Sequence, residues 1–302
     1  MSTAETLPMP TPSLSVVVGS INARHSVGPC LDELLRQRNG RGIEIIVADN
    51  SADGTAEIVG RRFPDVKLLR CDDDMLMPQL WEAGIRQSSG EVVALTTSHF
   101  VPARDWVEKI LEAHINPASG IGGAIENDPA GGIVSWAVYF CRYSPYMLPF
   151  EGRAVNDFAG DNASYKRSAL ERCVESRRDG FWESFVHAEL RAEGLPLALV
   201  PDVVVFHQKS FTLVGFMTQR FWHGRQYGSK RVSNLPVLRR LLYAAMAPGI
   251  PAISLLRITR RVLSRKRNLG RYILSLPALM LFILSWSGGE FSGYLWPSVD
   301  AK

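Results

Sequence analysis

The fold is decided by the stretch Glu91-Val92-Val93-Ala94-Leu95-Thr96-Thr97-Ser98-His99-Phe100-Val101-Pro102. Its apolar first half predicts a buried central strand, and the polar cluster before the proline predicts that the strand ends at a crevice. In open α/β sheets, ligands bind at the carboxyl ends of the strands. Thr97, Ser98 and His99 are therefore candidate ligand-binding residues. The competing interpretation is a strand end whose hydroxyls cap the helix that starts near Asp105.

The composition is globular, with apolar residues concentrated after about residue 235. The chain has 302 residues, 46% of them hydrophobic, and a formal net charge of +4. Seven basic residues fall between 257 and 271, beside apolar segments. This pattern favours an anionic membrane surface as a partner and disfavours nucleic acid, whose binders usually combine basic residues with a docking motif.

Two features predict that the folded domain stays in the cytosol. The four cysteines lie far apart and form no CxxC pair, which is typical of reduced thiols. The first 12 residues lack the basic and apolar regions of a signal peptide.

Strand and helix patterns alternate along the first two thirds of the chain. Runs of β-branched residues predict strands, and apolar residues three and four positions apart predict helices. Their order predicts an α/β fold with a parallel sheet and right-handed crossovers. Besides the quoted stretch, strands are predicted at 14–20, 43–48, 66–70, 120–125, 131–139 and 197–206, and helices at 30–35, 55–63, 80–87, 106–114, 183–194 and 216–231.

Several motifs then follow one another in a recognisable order. They are Ser15-Val16-Val17-Val18 with Asn22, residues 46–55, residues 89–95, Gly160-Asp161-Asn162-Ala163, and Glu183 with residues 190–194. Together they resemble the family 2 glycosyltransferases, over roughly residues 13–228. The resemblance implies a GT-A type (Rossmann-like) mixed sheet flanked by helices at 13–228. A flexible tail at 1–12 would precede it, and a helical, membrane-associated region at 229–302 would follow.

The resemblance implies a nucleotide-sugar donor bound at the ends of the first strands. Asp49 occupies the family position that contacts the donor base, where a carboxylate can accept a hydrogen bond from a base N–H. Ser20 and Asn22 belong to the same donor-binding set, with the polar end of the quoted stretch. The alternative for Asp49 is a turn residue before a helix, and Asp53 is interpreted as such a structural residue.

The metal site of the family is altered in this chain. Most members carry an Asp-x-Asp motif that holds Mg²⁺ or Mn²⁺ against the donor diphosphate, but here Thr96 and Ser98 stand at the two aspartate positions. The resemblance thus implies a divalent metal, but the hydroxyl side chains at the two aspartate positions do not favour one. His99 could ligate a metal or donate to a phosphate, although a lone histidine is a poor site for a hard cation. His207 could approach the same diphosphate, and both histidines have an alternative structural role.

Two further segments depart from the family pattern. Trp81-Glu82-Ala83-Gly84 stands where the family often has Arg-Asn before a small residue and glycine, so a donor contact is lost. Asp72-Asp73-Asp74 could replace the metal site, but a solvated acidic turn that caps the next helix is the favoured interpretation.

Glu183 is the candidate catalytic base. An inverting transfer needs a carboxylate that takes the proton of the attacking hydroxyl, and the resemblance places this base at the start of the helix that begins at Glu183. Glu189, further along the helix, is the second choice, and a helix N-terminal charge is the structural alternative. Asp161 and Asn162 match the acceptor-side loop of the family and could orient a hydroxyl.

The C-terminal region predicts contact with a membrane. Arg220 and Arg225 lie on a helix of alternating aromatic and basic residues that could rest at an interface or close over the diphosphate, with core packing as the alternative. The apolar stretches 241–256 and 272–286 are near or below the length of a spanning helix and contain prolines. A spanning first stretch would also place the basic link outside the cell. We therefore expect a peripheral or monotopic protein at the cytoplasmic face, with two short spanning helices as the alternative.

These observations predict a glycosyltransferase that moves a sugar from a nucleotide donor to a glycan acceptor at the cytosolic membrane surface. A cell-envelope or polysaccharide glycan, including a lipid-linked one, is the acceptor class expected. The alternative is a non-catalytic relative that serves as a binding or scaffolding subunit, which the hydroxyls at the Asp-x-Asp positions favour.

Overall fold

A computed structural model describes residues 12–38, 42–208, 211–233 and 235–296. Except for Pro12, the predicted tail at 1–12 lies outside these residues. The chain forms two compact units. The first unit comprises the described residues up to Ile125 together with Glu151–Gln208, and the second comprises Glu126–Phe150 and the described residues from 211 onward. The domain ranges 13–228 and 229–302 remain a prediction, because a family domain and a compact unit need not share boundaries.

The first unit is built on a mixed sheet, as predicted. In the described residues the sheet has nine strands, ordered β3-β2-β1-β4-β8-β6-β9-β5, with β7 beside β9. Strands β1 to β4 are parallel neighbours, whereas β8 runs antiparallel to β4. The strands are β1 Leu14–Ser20, β2 Ile43–Asp49, β3 Lys67–Arg70, β4 Val92–Thr97, β5 Phe100–Pro102, β6 Gly120–Asn127, β7 Arg153–Ala154, β8 Asn162–Lys166 and β9 Leu197–His207.

The central strands form because their sequences suit burial on both faces of a sheet. Every residue of β1 and β4 is buried, so helices must cover both sides. The helix at residues 77–86 packs very closely on β1, since a Cβ on its Gly84 would lie 2.2 Å from the Val17 side chain. The helices of the first unit are α1 Val27–Arg36, α2 Thr55–Arg62, α3 Met77–Arg86, α4 Trp106–Ala113, α6 Arg167–Leu170 and α7 Glu183–Ala192.

The second unit is helical in its described residues. Its helices are α5 Ile133–Tyr143, α8 Leu213–Val232, α9 Val237–Met246, α10 Ile250–Arg265 and α11 Leu269–Leu295.

Glycines allow α8 and α11 to touch backbone to backbone. On α8, a Cβ on Gly224 would lie 2.3 Å from the Trp286 carbonyl oxygen. A Cβ on Gly228 would lie 2.5 Å from the Glu290 carbonyl oxygen. On α11, a Cβ on Gly289 would lie 2.0 Å from the carbonyl oxygen of Phe221. Any larger residue at these positions would separate the helices.

Two sequence-based expectations were wrong. Residues 131–139, predicted as an extended piece, lie mostly in α5, because Gly131 and Gly132 precede a helix instead of shaping a strand. The apolar stretches are also longer than predicted, because Pro251 lies in the first turn of α10 and Pro277 inside α11 without ending it. Two helical stretches, Val237–Arg265 and Leu269–Leu295, are long and apolar enough to cross a membrane by length and composition.

Candidate active site at the carboxyl edge of the sheet

The carboxyl ends of β1, β2 and β4 meet at one edge. Ser20 pairs in register with Asp49, and Gly19 pairs with Thr97. The Ser98 N–H donates to the Gly19 carbonyl oxygen at 3.0 Å, which keeps Ser98 beside β1 after β4 has ended. The structure therefore brings together the predicted donor-side residues of these three strands.

The loops after β1 and β2 hold each other in place. The Asn22 N–H donates to Ser51 Oγ at 2.8 Å, and Asn22 Oδ1 accepts from the Ala52 N–H at 3.2 Å. Asn22 has a φ of 49°, a left-handed conformation that asparagine tolerates better than most residues. Asp53 accepts from the Arg24 N–H at 3.0 Å and the Thr55 N–H at 3.1 Å, which agrees with the structural interpretation of Asp53.

Asp49 is completely buried at the end of β2. Its Oδ1 accepts from Ser51 Oγ at 2.5 Å, and its Oδ2 accepts from Arg70 Nη1 at 2.8 Å. The Arg70 side chain remains 51% exposed, so this ion pair opens onto solvent. A carboxylate has about four acceptor positions, which leaves capacity for a ligand N–H. The sequence analysis missed Arg70, which lies one strand away and carried no motif.

The Asp-x-Asp positions are occupied by buried hydroxyls. Thr96 and Ser98 are fully buried, as is Ser20 on the neighbouring strand. The hydroxyl oxygens of all three have no hydrogen-bond partner in the described part of the chain. Within the part of the chain that the structure describes, no three His, Cys, Asp or Glu side chains are grouped to hold a metal ion. Hard divalent cations prefer carboxylate oxygens, so these residues do not fit the metal that the resemblance implies.

The two candidate histidines lie near each other. His99 is the second residue after β4, and its Nδ1 is 2.9 Å from Ser26 Oγ. His207 is buried at the end of β9, opposite Phe100 of β5, with the two rings 5.3 Å apart. The Gln208 N–H donates to the His99 carbonyl oxygen at 2.9 Å. Both histidines thus have structural partners, and their contact with a diphosphate remains a prediction.

Glu183 begins α7, and its carboxylate is held at the loop before β8. Its Oε1 accepts from the Gly160 N–H at 3.0 Å. Burial raises the pKa of Glu183 to about 7, and the nearby charges of Asp161 and Asp157 act in the same direction. A carboxylate with such a pKa can take up a proton near neutral pH, as a general base requires.

Trp81 links Glu183 to the strand edge. Its Nε1 donates to the Thr96 carbonyl oxygen at 2.8 Å. The ring reaches the Gly160 loop at its other end, because a Cβ on Gly160 would lie 2.8 Å from both the Trp81 ring and Glu183 Oε1. Trp81 therefore connects Glu183 and the Gly160 loop to the backbone of the strand that carries the Asp-x-Asp positions. The sequence identified Trp81 only as a departure from the family pattern.

A buried histidine fixes the loop that carries Gly160. His187, one helical turn after Glu183, is completely buried. Its Nδ1 lies 2.5 Å from Asp157 Oδ1, and its Nε2 lies 2.8 Å from the Tyr165 hydroxyl. This network ties α7 to both ends of the acceptor-side loop. Its only sequence signal was the spacing of four residues between Glu183 and His187.

The two acceptor-side candidates differ in placement. Asn162 is buried inside the sheet, where its Nδ2 donates to the carbonyl oxygens of Ala124 at 2.8 Å and Val203 at 2.9 Å. Its Oδ1 accepts from Trp106 Nε1 at 2.9 Å. This placement argues against contact between Asn162 and an acceptor. Asp161 is partly exposed and acts electrostatically on Glu183.

Two other candidates have side chains that face solvent or serve the fold. Asp72, Asp73 and Asp74 are exposed before α3, but they do not cap it as predicted, because Gln79 Oε1 accepts from the Leu76 N–H at 2.7 Å. Glu189 accepts from the Ser176 N–H at 3.2 Å, which gives it a structural partner.

Arg220 and Arg225 belong to the second unit. The Arg220 guanidinium lies over the Trp286 ring at 4.1 Å, and that of Arg225 lies over the Trp222 ring at 5.4 Å. Their role at a diphosphate or as a lid remains a prediction.

The sequence profile named "Glycosyl transferase family 2" matches residues 15–174, which include β1 to β4 and the loop of Gly160. The chain belongs to glycosyl transferase family 2. Family 2 enzymes transfer sugars from nucleotide-sugar donors, and in this member the matched region carries the donor-side edge described above. A search of curated protein sequences gave no match.

The chain is similar to solved structures. The mannosyltransferase PcManGT from Pyrobaculum calidifontis, in complex with GDP-Man and Mn²⁺, has a TM-score of 0.55 and 18% identity, over 95% of this chain and 88% of that one. TarS 1–349 from S. aureus has a TM-score of 0.47 and 11% identity, over 93% and 89% of the two chains. The first likeness supports a GT-A fold for this family 2 member.

Proposed function

We propose that the protein is an inverting glycosyltransferase that moves a hexosyl group from a nucleoside diphosphate sugar to an acceptor hydroxyl, with Glu183 as the base. One observation carries the proposal. The carboxylate of Glu183 has a pKa of about 7 and hydrogen-bonds to the Gly160 loop, and Trp81 connects that loop to the donor-side strand edge.

The reaction would be a single displacement. Ionised Glu183 takes the proton of the acceptor hydroxyl while the acceptor oxygen forms a bond to the anomeric carbon. The bond between that carbon and the diphosphate breaks, and the diphosphate leaves with the electron pair. Because the acceptor attacks from the face opposite the leaving group, the anomeric configuration inverts. The position of Glu183 at the start of α7 suits this role, since a helix N-terminus favours the ionised carboxylate.

The donor base would pair with Asp49. This carboxylate is buried at the strand edge and keeps acceptor capacity beside its bonds from Ser51 and Arg70. The complex of PcManGT with GDP-Man is consistent with a nucleoside diphosphate sugar as donor.

We also propose that the second unit rests on the cytosolic face of a membrane. Apolar side chains are exposed along its helices, including Leu238, Leu242, Ile273 and Leu284. Exposed arginines of α10 and of the link to α11 would face anionic headgroups.

The packing of α11 favours a helix that lies in the interface over one that crosses the bilayer. Its residues 286–293 pack closely against α8, which carries four basic residues. Glu290 is also buried there, and accepts from Trp286 Nε1 at 2.9 Å. An acceptor at this surface would be a cell-envelope or polysaccharide glycan, with lipid-linked glycans as the class best matched to an interfacial enzyme.

Nucleotide binding tests the donor site. Calorimetric titration of the detergent-purified full chain with UDP, GDP, dTDP and ADP should give saturable binding of at least one nucleotide. Asp49→Ala should abolish that binding, whereas Asp72→Ala should not, because Asp72 is exposed in a turn before α3. Equal affinity of the Asp49→Ala variant and the unmodified chain would contradict the assignment.

The second candidate function is a non-catalytic binding subunit, favoured by Thr96 and Ser98 at the Asp-x-Asp positions. This function predicts nucleotide binding without turnover. Release of nucleotide from a bound nucleotide sugar in the presence of membrane extract would rule it out.

A further inference from the structure

We propose that the site binds the diphosphate of its donor without a divalent cation, through the hydroxyl groups of Ser20, Thr96 and Ser98. The proposal rests on the proposed function, because it concerns how the same donor site holds its ligand. It departs from the Mn²⁺ complex of the similarly folded PcManGT.

Ser20 and Thr96 share one face of the sheet, and Ser98 follows in the turn after β4. In the parallel pairing of β1 with β4, Val18 lies beside Thr96, and paired residues of parallel strands point to the same side. Side chains alternate along a strand, so Ser20 lies on the same side as Val18. The Ser98 N–H donates to the Gly19 carbonyl oxygen at 3.0 Å, which keeps Ser98 beside the end of β1. Asp49, paired with Ser20, is also on this face.

Among the residues that the structure describes, none of the three hydroxyls has a hydrogen-bond partner. Each residue has 0% of its surface exposed, so a diphosphate oxygen reaches these hydroxyls only when the side chains that cover them move aside. Buried polar groups are nearly always paired in native proteins, and a cluster of unpaired ones indicates a ligand that supplies the missing partners. A hydroxyl can donate to an oxygen of a bound anion.

Charge explains why such a site can dispense with a metal. Two aspartates at positions 96 and 98 would repel a diphosphate unless a divalent cation lay between the anions. Threonine and serine remove both negative charges, so the diphosphate meets neutral donors and no cation is needed to overcome repulsion. Arg70 also lies at this edge, where its charge is balanced by that of Asp49.

Metal dependence of nucleotide binding is the test. The full chain in detergent is titrated with UDP, GDP, dTDP and ADP, once in EDTA and once in MnCl₂. The affinity for the preferred nucleotide should agree within about twofold between the two conditions. Binding that requires Mn²⁺ would overturn the metal-free site and leave the proposed function standing. No binding of any nucleotide in either condition would overturn the donor site itself, and this inference with it.

Two sets of variants extend the test: one removes the hydroxyl groups, and the other restores the two aspartates. Thr96→Val combined with Ser98→Ala keeps the side-chain shapes and removes two donors, so binding in EDTA should weaken about tenfold or more. Ser13→Ala, which removes an exposed hydroxyl at the other end of β1, should bind like the unmodified chain. Thr96→Asp combined with Ser98→Asp should lose binding in EDTA and regain it in MnCl₂. Unchanged binding in the Thr96→Val/Ser98→Ala chain, with an unchanged unfolding temperature, would contradict the hydroxyl site.

Discussion

Replacing Glu183 by glutamine should stabilise the folded protein above neutral pH and have much less effect in acid. The pKa of Glu183 rises from 4.5 to about 7 on folding, mainly because the carboxyl group is buried. Between these two values the folded chain keeps a proton that the unfolded chain has released. Stability therefore falls as the pH rises from 4.5 to 7 and is constant above that range.

A rise of about 2.5 in this pKa means that ionised Glu183 lowers the free energy of unfolding by about 3 kcal/mol at high pH. Integrated over the titration, about 2 kcal/mol of this cost appears between pH 5.5 and pH 8. Glutamine lacks the charge, and its side-chain oxygen can still accept from the Gly160 N–H. The stability advantage of the Glu183→Gln chain over the unmodified chain, measured as free energy of unfolding, should thus be about 2 kcal/mol larger at pH 8 than at pH 5.5.

Urea unfolding at pH 5.5 and pH 8, followed by tryptophan fluorescence, measures this gain. Glu189→Gln makes the same chemical change on the same helix and controls for the loss of one carboxylate from α7. The reasoning is refuted if the Glu183→Gln chain differs from the unmodified chain by the same amount at both pH values.

Two further predictions concern the loop at the base and the membrane surface. Gly160→Ala should destabilise the fold by about 1–3 kcal/mol and reduce turnover, because its Cβ would lie 2.8 Å from the Glu183 carboxylate and from the Trp81 ring. Thermal unfolding measures the loss of stability. Gly152→Ala is the control, because its Cβ would lie 3.7 Å from the nearest atom. Equal stability of the two variants would contradict this prediction. Replacing Arg257 and Arg261 by glutamine should weaken binding to phosphatidylglycerol vesicles about thirtyfold, since each exposed cation contributes about 1 kcal/mol. Co-sedimentation measures this, and an equal loss on neutral vesicles would argue against an electrostatic contribution.

The parts of the fold that follow from local patterns could be predicted from the sequence. β1, β2 and β4 are β-branched, and α7 starts at Glu183 as its pattern indicates. β8 was missed because its residues Asn162–Lys166 carry no clear strand pattern. Two other errors arose where glycine or proline had two interpretations. Gly131 and Gly132 resembled a close backbone approach and instead precede α5, and Pro277 lies inside a continuous helix of 27 residues.

The candidate site was predictable only where family motifs named its residues. The ion pair of Arg70 with Asp49, and the contact of Trp81 with the Gly160 loop, join residues far apart in sequence. Such pairs follow from strand order and helix packing, which no local pattern specifies. The same limit applies to Asn162, whose motif suggested an acceptor contact although its amide holds the sheet together.

Donor turnover tests the central claim most directly. Nucleotide release from the sugar donor that binds best is measured with membrane extract as the acceptor source, for the unmodified chain, Glu183→Gln and Glu189→Gln. We predict that Glu183→Gln lowers kcat by about 10²- to 10⁴-fold and that Glu189→Gln retains activity. We also predict that kcat/KM of the unmodified chain falls as the pH drops below about 7, where Glu183 becomes protonated. A Glu183→Gln enzyme as active as the unmodified chain would contradict the account.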